Sequence, residues 1–147
     1  MKVVIAIDSF KGSLSSMEAG KAAGEGIRRV YPEAEVIIRP IADGGEGTVD
    51  ALIEGMGARP ERVVVTGPLG EPTTAVYGVV GDNTAIMEMS AASGITLVPE
   101  ADRNPLLTTT YGVGEMIADA AKKGCRRFII GIGGSATNDG GVGMLQA

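Results

Sequence analysis

The sequence predicts an α/β protein, and three observations carry that prediction. Short apolar runs such as Val3 to Ile7 and Phe128 to Ile132 break abruptly into glycine and small polar residues, which is how a buried parallel strand delivers a loop to the edge of a sheet. Segments with apolar residues at helical spacing alternate with these runs. Aromatic residues make up only 3% of the chain, with no Trp, while 23 residues are glycine, a mixture suited to helices packed closely on parallel sheets. At 147 residues and 44% hydrophobic content, the chain is long enough to bury one core.

Val3 to Ile7 reads as the first strand, and it empties into the loop Asp8-Ser-Phe-Lys-Gly-Ser-Leu-Ser15. Ser15 with Glu18 forms a capping box, and Ala19, Ala22, Ala23, Ile27 and Val30 carry the apolar stripe of a helix up to Pro32. Glu35 to Arg39 is the second strand, closed by Pro40 and followed by the loop Ile41 to Thr48. Val49, Leu52, Ile53 and Met56 give the next helix its buried face.

From Arg62 the texture changes. Val63 to Val65, Thr73 to Val80 and Thr84 to Met89 are short β-rich runs separated by Gly67-Pro68, Gly70, Pro72 and Gly81-Asp82-Asn83, which reads as an antiparallel meander. Glu88 reads either as a buried functional acid or, the preferred reading, as an edge residue. After the charged connector Pro99 to Pro105, Thr108 to Glu115 leads into a helix with Val113, Met116, Ile117, Ala120 and Ala121 on one face. Lys122, Lys123 and Gly124 close it as a cationic last turn and C-cap. The strand at Phe128 is expected to join those near Val3 and Val36 in one small parallel sheet. Residues 1–61 then form the first part of an α/β domain, 62–98 the start of a second, inserted β-rich domain, and 99–147 a helix, strand and glycine loop belonging to the α/β domain.

Composition removes several classes of function. The net charge is −5, and no basic run exceeds the pair Arg126 and Arg127, so nucleic acid is not an expected partner. Cys125 is the only cysteine and there is no histidine, which excludes an internal disulfide, imidazole metal sites and every histidine-based triad. No apolar stretch approaches the length of a membrane span or a signal peptide, so the expected location is the cytoplasm.

The stretch richest in chemistry is Gly131-Ile-Gly-Gly-Ser-Ala-Thr-Asn-Asp-Gly-Gly141, with five glycines in eleven residues, more than a turn requires. Gly133 and Gly134 let the backbone approach a ligand closely, and Ser135, Thr137, Asn138 and Asp139 add hydroxyl, amide and carboxylate groups, as in a phosphate cradle with an acid at its rim. Read literally, Gly131, Gly133 and Ala136 also satisfy the dinucleotide fingerprint, giving a dinucleotide-binding oxidoreductase domain as an alternative. A second alternative is a non-catalytic anion-binding module. In the loop after the second strand, Asp43 and Glu46 beside Gly44, Gly45 and Gly47 fit either a helix-start capping box or a Mg²⁺-phosphate site. The threonines at 108–110 suit either ordinary capping or an anion site at the helix start.

Three of these stretches together, Asp8 to Leu14, Ala42 to Thr48 and Gly131 to Gly141, resemble the bacterial glycerate kinase family. Glu88 to Gly94 and Thr108 to Glu115 look like further family segments, so the resemblance spans nearly the whole chain. Departures are Ile7, where the family pattern suggests proline, and Val113, where threonine is common. The resemblance implies a two-domain enzyme with a flavodoxin-like, Rossmann-type parallel sheet, a smaller inserted domain and an active site between them. It implies ATP-dependent phosphorylation of D-glycerate, on the 2-hydroxyl to give 2-phosphoglycerate, within organic-acid and glyoxylate metabolism. ATP and Mg²⁺ are the implied cofactors, with a homo-oligomer left open as a partner. Family members are much longer, so the 147 residues look like an N-terminal portion, expected to fold in part or whole without kinase activity of its own. On this reading Lys11, Asp43 and Asp139 are the catalytic candidates, with Asp43 and Asp139 as Mg²⁺ ligands. Asp8, Ser9, Ser13, Gly44, Gly45, Gly133, Gly134, Ser135, Thr137 and Asn138 hold substrate or phosphate.

Overall fold

The computed structural model describes residues 1–10, 13–41, 49, 51, 57–81 and 83–147. The amino-terminal unit is β1 (Lys2–Ile7), α1 (Ser16–Val30) and β2 (Glu35–Pro40). The two strands pair in parallel, in register from Lys2 with Glu35 to Ile7 with Pro40. The capping box at the start of α1 forms as expected: the Glu18 amide donates to Ser15 Oγ at 3.2 Å, and the Ser15 amide to Glu18 Oε2 at 2.9 Å. Glycine brings this helix down onto the strands, because a Cβ on Gly20 would run into Ile38 Cγ2.

The larger unit contains β3 (Arg59–Thr66), β4 (Pro72–Val80), β5 (Thr84–Glu88), the one-turn helix α2 (Ser90–Ser93), α3 (Tyr111–Lys122), β6 (Arg127–Gly131) and α4 (Val142–Gln146). The sheet order is β3-β4-β5-β6. The meander is antiparallel as expected, and it begins at Arg59. The expectation of one parallel sheet uniting the strands near Val3, Val36 and Phe128 is corrected: β6 pairs in parallel with β5, from Thr84 with Arg127 to Glu88 with Gly131. The physical reason lies in β5. Ala85, Ile86, Met87 and Glu88 are all buried, so β5 is an interior strand that needs a partner on each side, and β6 supplies the second one.

Helix α3 covers one face of this sheet. Val65, Ala75, Tyr77, Met87, Val113, Met116, Ala120 and Cys125 form the core beneath it. Gly112 and Gly114 are small for a packing reason. A Cβ on the first would collide with the Thr66 carbonyl oxygen, and one on the second with that of Met144. Val113, where the family pattern suggests a hydroxyl, is 2% exposed and belongs to the core. Lys123 and Gly124 end the helix as the sequence predicts, with Gly124 at φ 101° and its amide donating to the Ala121 carbonyl at 3.1 Å.

At the end of α3 the Tyr77 hydroxyl donates to Asp119 Oδ2 at 2.8 Å, and Lys123 bridges Asp119 and Glu61. Burial, reinforced by the Asp119 carboxylate, pushes the Tyr77 hydroxyl up to about 12. Among the described residues no helix is long and apolar enough to cross a membrane.

Candidate active site

The glycine loop leaves β6 at Gly131 and is fastened by its backbone to the segment that follows β5. Met89 N–H donates to the Gly131 carbonyl at 2.9 Å, Ile95 N–H to Gly134 O at 2.9 Å, and Ala136 N–H to Ser93 O at 2.9 Å. Thr108 Oγ1 donates to the Ala136 carbonyl at 2.8 Å from the other side. Gly134 sits at φ 70°, a conformation that side chains with a Cβ rarely adopt, and its Cα faces Ser90. Among the described residues no hydrogen bond to an acceptor is made by the N–H groups of Gly133 and Gly134, which form a turn between Ile132 and Ser135. Ser135 Oγ accepts from Thr137 N–H at 3.0 Å and lies 2.9 Å from Thr137 Oγ1, while Ser135 and Asn138 are exposed. A rigid loop with consecutive unclaimed amides beside two hydroxyls is equipped to receive a compact anion.

Asp139 closes the loop. Its Oδ2 accepts from Thr110 N–H at 2.8 Å, Thr110 Oγ1 at 2.8 Å and Gly143 N–H at 3.3 Å, and its Oδ1 from Gly141 N–H at 2.9 Å. Burial alone would raise this carboxyl's pKa, but the bonds from Thr110, Gly141 and Gly143 outweigh it and hold the group below the ordinary aspartate value. Asp139 therefore pins the loop to the starts of α3 and α4. Among the described residues no cluster of three or more His, Cys, Asp or Glu has metal-binding arrangement, and Asp139 spends its oxygens on protein donors.

The threonines before α3 are likewise committed inside the protein. Thr109 Oγ1 accepts from Tyr111 N–H at 3.1 Å, Thr110 N–H is taken by Asp139, and Thr110 Oγ1 also accepts from Met144 N–H at 2.9 Å. This helix start is covered by neighbours instead of being offered to an anion.

Asp8 and Ser9 follow the carboxyl end of β1, and Ser13 lies in the loop beyond it. Asp8 is exposed and its Oδ1 accepts from Ser9 N–H at 2.7 Å, while Phe10 and Leu14 pair across the loop. Lys11, Asp43, Gly44 and Gly45 lie outside the described residues, as does Glu46. The structure thus brings Gly133, Gly134, Ser135, Thr137, Asn138 and Asp139 into one loop cluster. No hydrogen bond among the described residues joins them to Asp8, Ser9 or Ser13.

Glu88 corrects the reading preferred from sequence. It is 7% exposed at the end of an interior strand, and it accepts from Val49 N–H at 2.6 Å and from Ser90 Oγ at 3.1 Å. The available signal was an acid terminating an uninterrupted apolar run, Ala85 to Met87, where burial obliges a carboxylate to find donors. Thr110 lay in the threonine run already singled out before α3, whereas nothing local distinguished Ser90 as a partner of Glu88.

Comparison with known proteins follows the same outline. The model of the glycerate kinase family matches residues 3–147. The chain belongs to the glycerate kinase family. It is 57% identical over 148 residues to the glycerate kinase of Bacillus subtilis strain 168, covering 100% of this chain and 39% of that protein. It is 53% identical to the glycerate 2-kinase of Escherichia coli K12, again over 100% of this chain and 39% of the relative. A crystal structure from Salmonella typhimurium LT2, of a protein assigned as glycerate kinase 2, superposes with a TM-score of 0.86 at 53% identity. It covers 100% of this chain and 40% of that one. This family member therefore spans about two fifths of the length of the curated relatives it matches.

Proposed function

We propose that this chain forms part of an enzyme that transfers the terminal phosphoryl group of ATP to D-glycerate, at the 2-hydroxyl, giving 2-phosphoglycerate. The observation that carries the reading is the glycine loop, whose unclaimed Gly133 and Gly134 amides are held in place by bonds to residues 89–95 and 108. Phosphoryl transfer asks chiefly for positioning and charge neutralisation, and amides fixed in advance provide both without reorganising during the reaction. The glycerate kinase and glycerate 2-kinase names of relatives more than 50% identical support this substrate over a dinucleotide.

In this reading the loop from Gly133 to Asn138 receives a phosphate, with Ser135 and Thr137 hydroxyls available to its oxygens. Lys11 neutralises the glycerate carboxylate or the moving phosphoryl group, and Asp43 orients the attacking hydroxyl. Asp8, Ser9, Ser13, Gly44 and Gly45 line the substrate side. Asp139 acts by shaping the cradle. Residues 1–61 are the first part of a flavodoxin-like domain, and the enzyme works in the cytoplasm.

The test is phosphorus NMR on a polypeptide of the relatives' length containing this sequence, incubated with D-glycerate and ATP-Mg. A resonance of 2-phosphoglycerate is expected. Absence of glycerate-dependent ADP formation at saturating Mg²⁺ would defeat the kinase reading, and a 3-phosphate product would defeat the regiochemistry alone.

A further inference from the structure

Glu88 occupies an unusual place. It ends β5, opposite Gly131 in the parallel ladder, at the same sheet edge from which the glycine loop departs. It is buried, with Oε1 on the Val49 amide at 2.6 Å and Oε2 on the Ser90 hydroxyl at 3.1 Å. Ser90 in turn lies under Gly134, where an added Cβ would approach Ser90 Cβ to 3.2 Å. Val49 immediately follows the motif Ala42 to Thr48 in the chain. Among the described residues the Val49 to Glu88 bond is the one hydrogen bond between residues up to 58 and those from 59 onward.

We propose that Glu88 is a positioning residue for the phosphoryl transfer inferred above, fastening the chain at Val49 to Ser90, which lies under Gly134 of the glycine loop. The inference rests on the kinase reading for its consequence in turnover, and on geometry alone for the tie itself. A buried carboxyl group suits this task because its two oxygens accept from two donors at once, here the Val49 amide and the Ser90 hydroxyl, and hold them at a set distance. A misplacement of about 1 Å between reacting groups can cost about 100-fold in rate, so a tie of this kind acts on kcat more than on KM.

The experiment compares Glu88→Gln, Glu88→Asp and Glu88→Ala in a polypeptide of the relatives' length, assayed with D-glycerate and ATP-Mg below the melting temperature of each variant. Amide hydrogen exchange at Val49 is measured in parallel. Gln offers the same oxygen to Val49 and an N–H to Ser90, so it should keep kcat within about tenfold of the parent. Asp is one methylene short, and Ala has no acceptor. Each should lower kcat by about 100-fold with KM nearly constant, and should speed Val49 exchange. Parental kcat in folded Glu88→Ala would overturn the proposal. So would Glu88→Gln as inactive as Glu88→Ala, which would instead make Glu88 a group acting on substrate through its charge. If the parent itself shows no glycerate-dependent turnover the kinase reading fails, and unchanged Val49 exchange in Glu88→Ala would separately overturn the tie.

Discussion

The two loops delivered by β1 and β6 are built on opposite plans. Around Asp8 the bonds among the described residues are local: Asp8 to its neighbour Ser9, and Phe10 to Leu14 four residues on. Around the glycine loop they are distant, joining Ala136 to Ser93 and Thr108, and Asp139 to Thr110. The supports differ in the same way. The β1-β2 pair has α1 over one face and leaves Val4 58% exposed on the other, whereas β5 is covered on all sides. A loop pinned by remote partners has its shape before any ligand arrives, and its donors need no reorganisation when charge develops. Among the described residues the larger unit thus carries a glycine loop fastened by remote partners, while the smaller presents an exposed Asp8 after β1.

The change expected to do most damage to this contrast is Gly112→Ala. Its methyl group would meet the Thr66 backbone carbonyl, which cannot rotate away, so α3 must lift from the sheet at a cost of about 3 kcal/mol. Thermal unfolding monitored by circular dichroism should show the drop, and hydrogen exchange should locate it in β3 to β6 while α1 keeps its protection.

Next in size is Asp43→Asn in a polypeptide of the relatives' length, which should cut kcat by about 100-fold if Asp43 handles the attacking hydroxyl. Asn is itself a good helix cap, so activity within a few-fold of the parent would return Asp43 to a capping role. The melting temperature should hardly move.

Asp139→Asn sharpens the comparison through pH. One amide cannot accept all four bonds that the carboxylate takes, so the loop should lose about 2 kcal/mol at neutral pH. The folded-state pKa of Asp139 is depressed, so its stabilisation is fully present above the ordinary aspartate value of about 3.9 and disappears as pH falls through the lower folded value. The gap between parent and variant in urea unfolding should accordingly narrow below about pH 4. A gap constant down to pH 2 would contradict the assignment.

The smallest effect belongs to the other unit. Ser15→Ala removes the capping box of α1 and should cost about 1 kcal/mol, seen as faster exchange in the first turn of that helix with no change in residues 131–143. Altered exchange in the glycine loop would show that the two units are more tightly coupled than their described bonds indicate.

What the sequence alone determined are the features made by residues close together in the chain. The capping box of Ser15 and Glu18, the Gly124 cap and the strand-to-glycine transition at Phe128 to Gly134 rest on contacts within a few residues, so spacing reveals them. The stripe expected on α1 is corrected: Ser16, Ala19, Gly20 and Gly24 form its buried face, while Ala22, Ala23 and Val30 are exposed, because the close approach of the helix to Ile38 and Val36 selects its glycines. The motif resemblance likewise lay in the order of short stretches, and it marked the glycine loop as a site. Tertiary structure alone decided which strand β6 joins, because an apolar run pairs equally well with any interior neighbour and β5 had a free side to fill. It also decided the meaning of the acids and glycines. Glu88 finds Val49 39 residues away and Asp139 finds Thr110 29 residues away, while Gly112, Gly114 and Gly143 are small because backbone or side chains from elsewhere press against them. A carboxylate's residue type fixes what it can accept, but the donors it meets are set by how remote segments pack, and no local pattern encodes that.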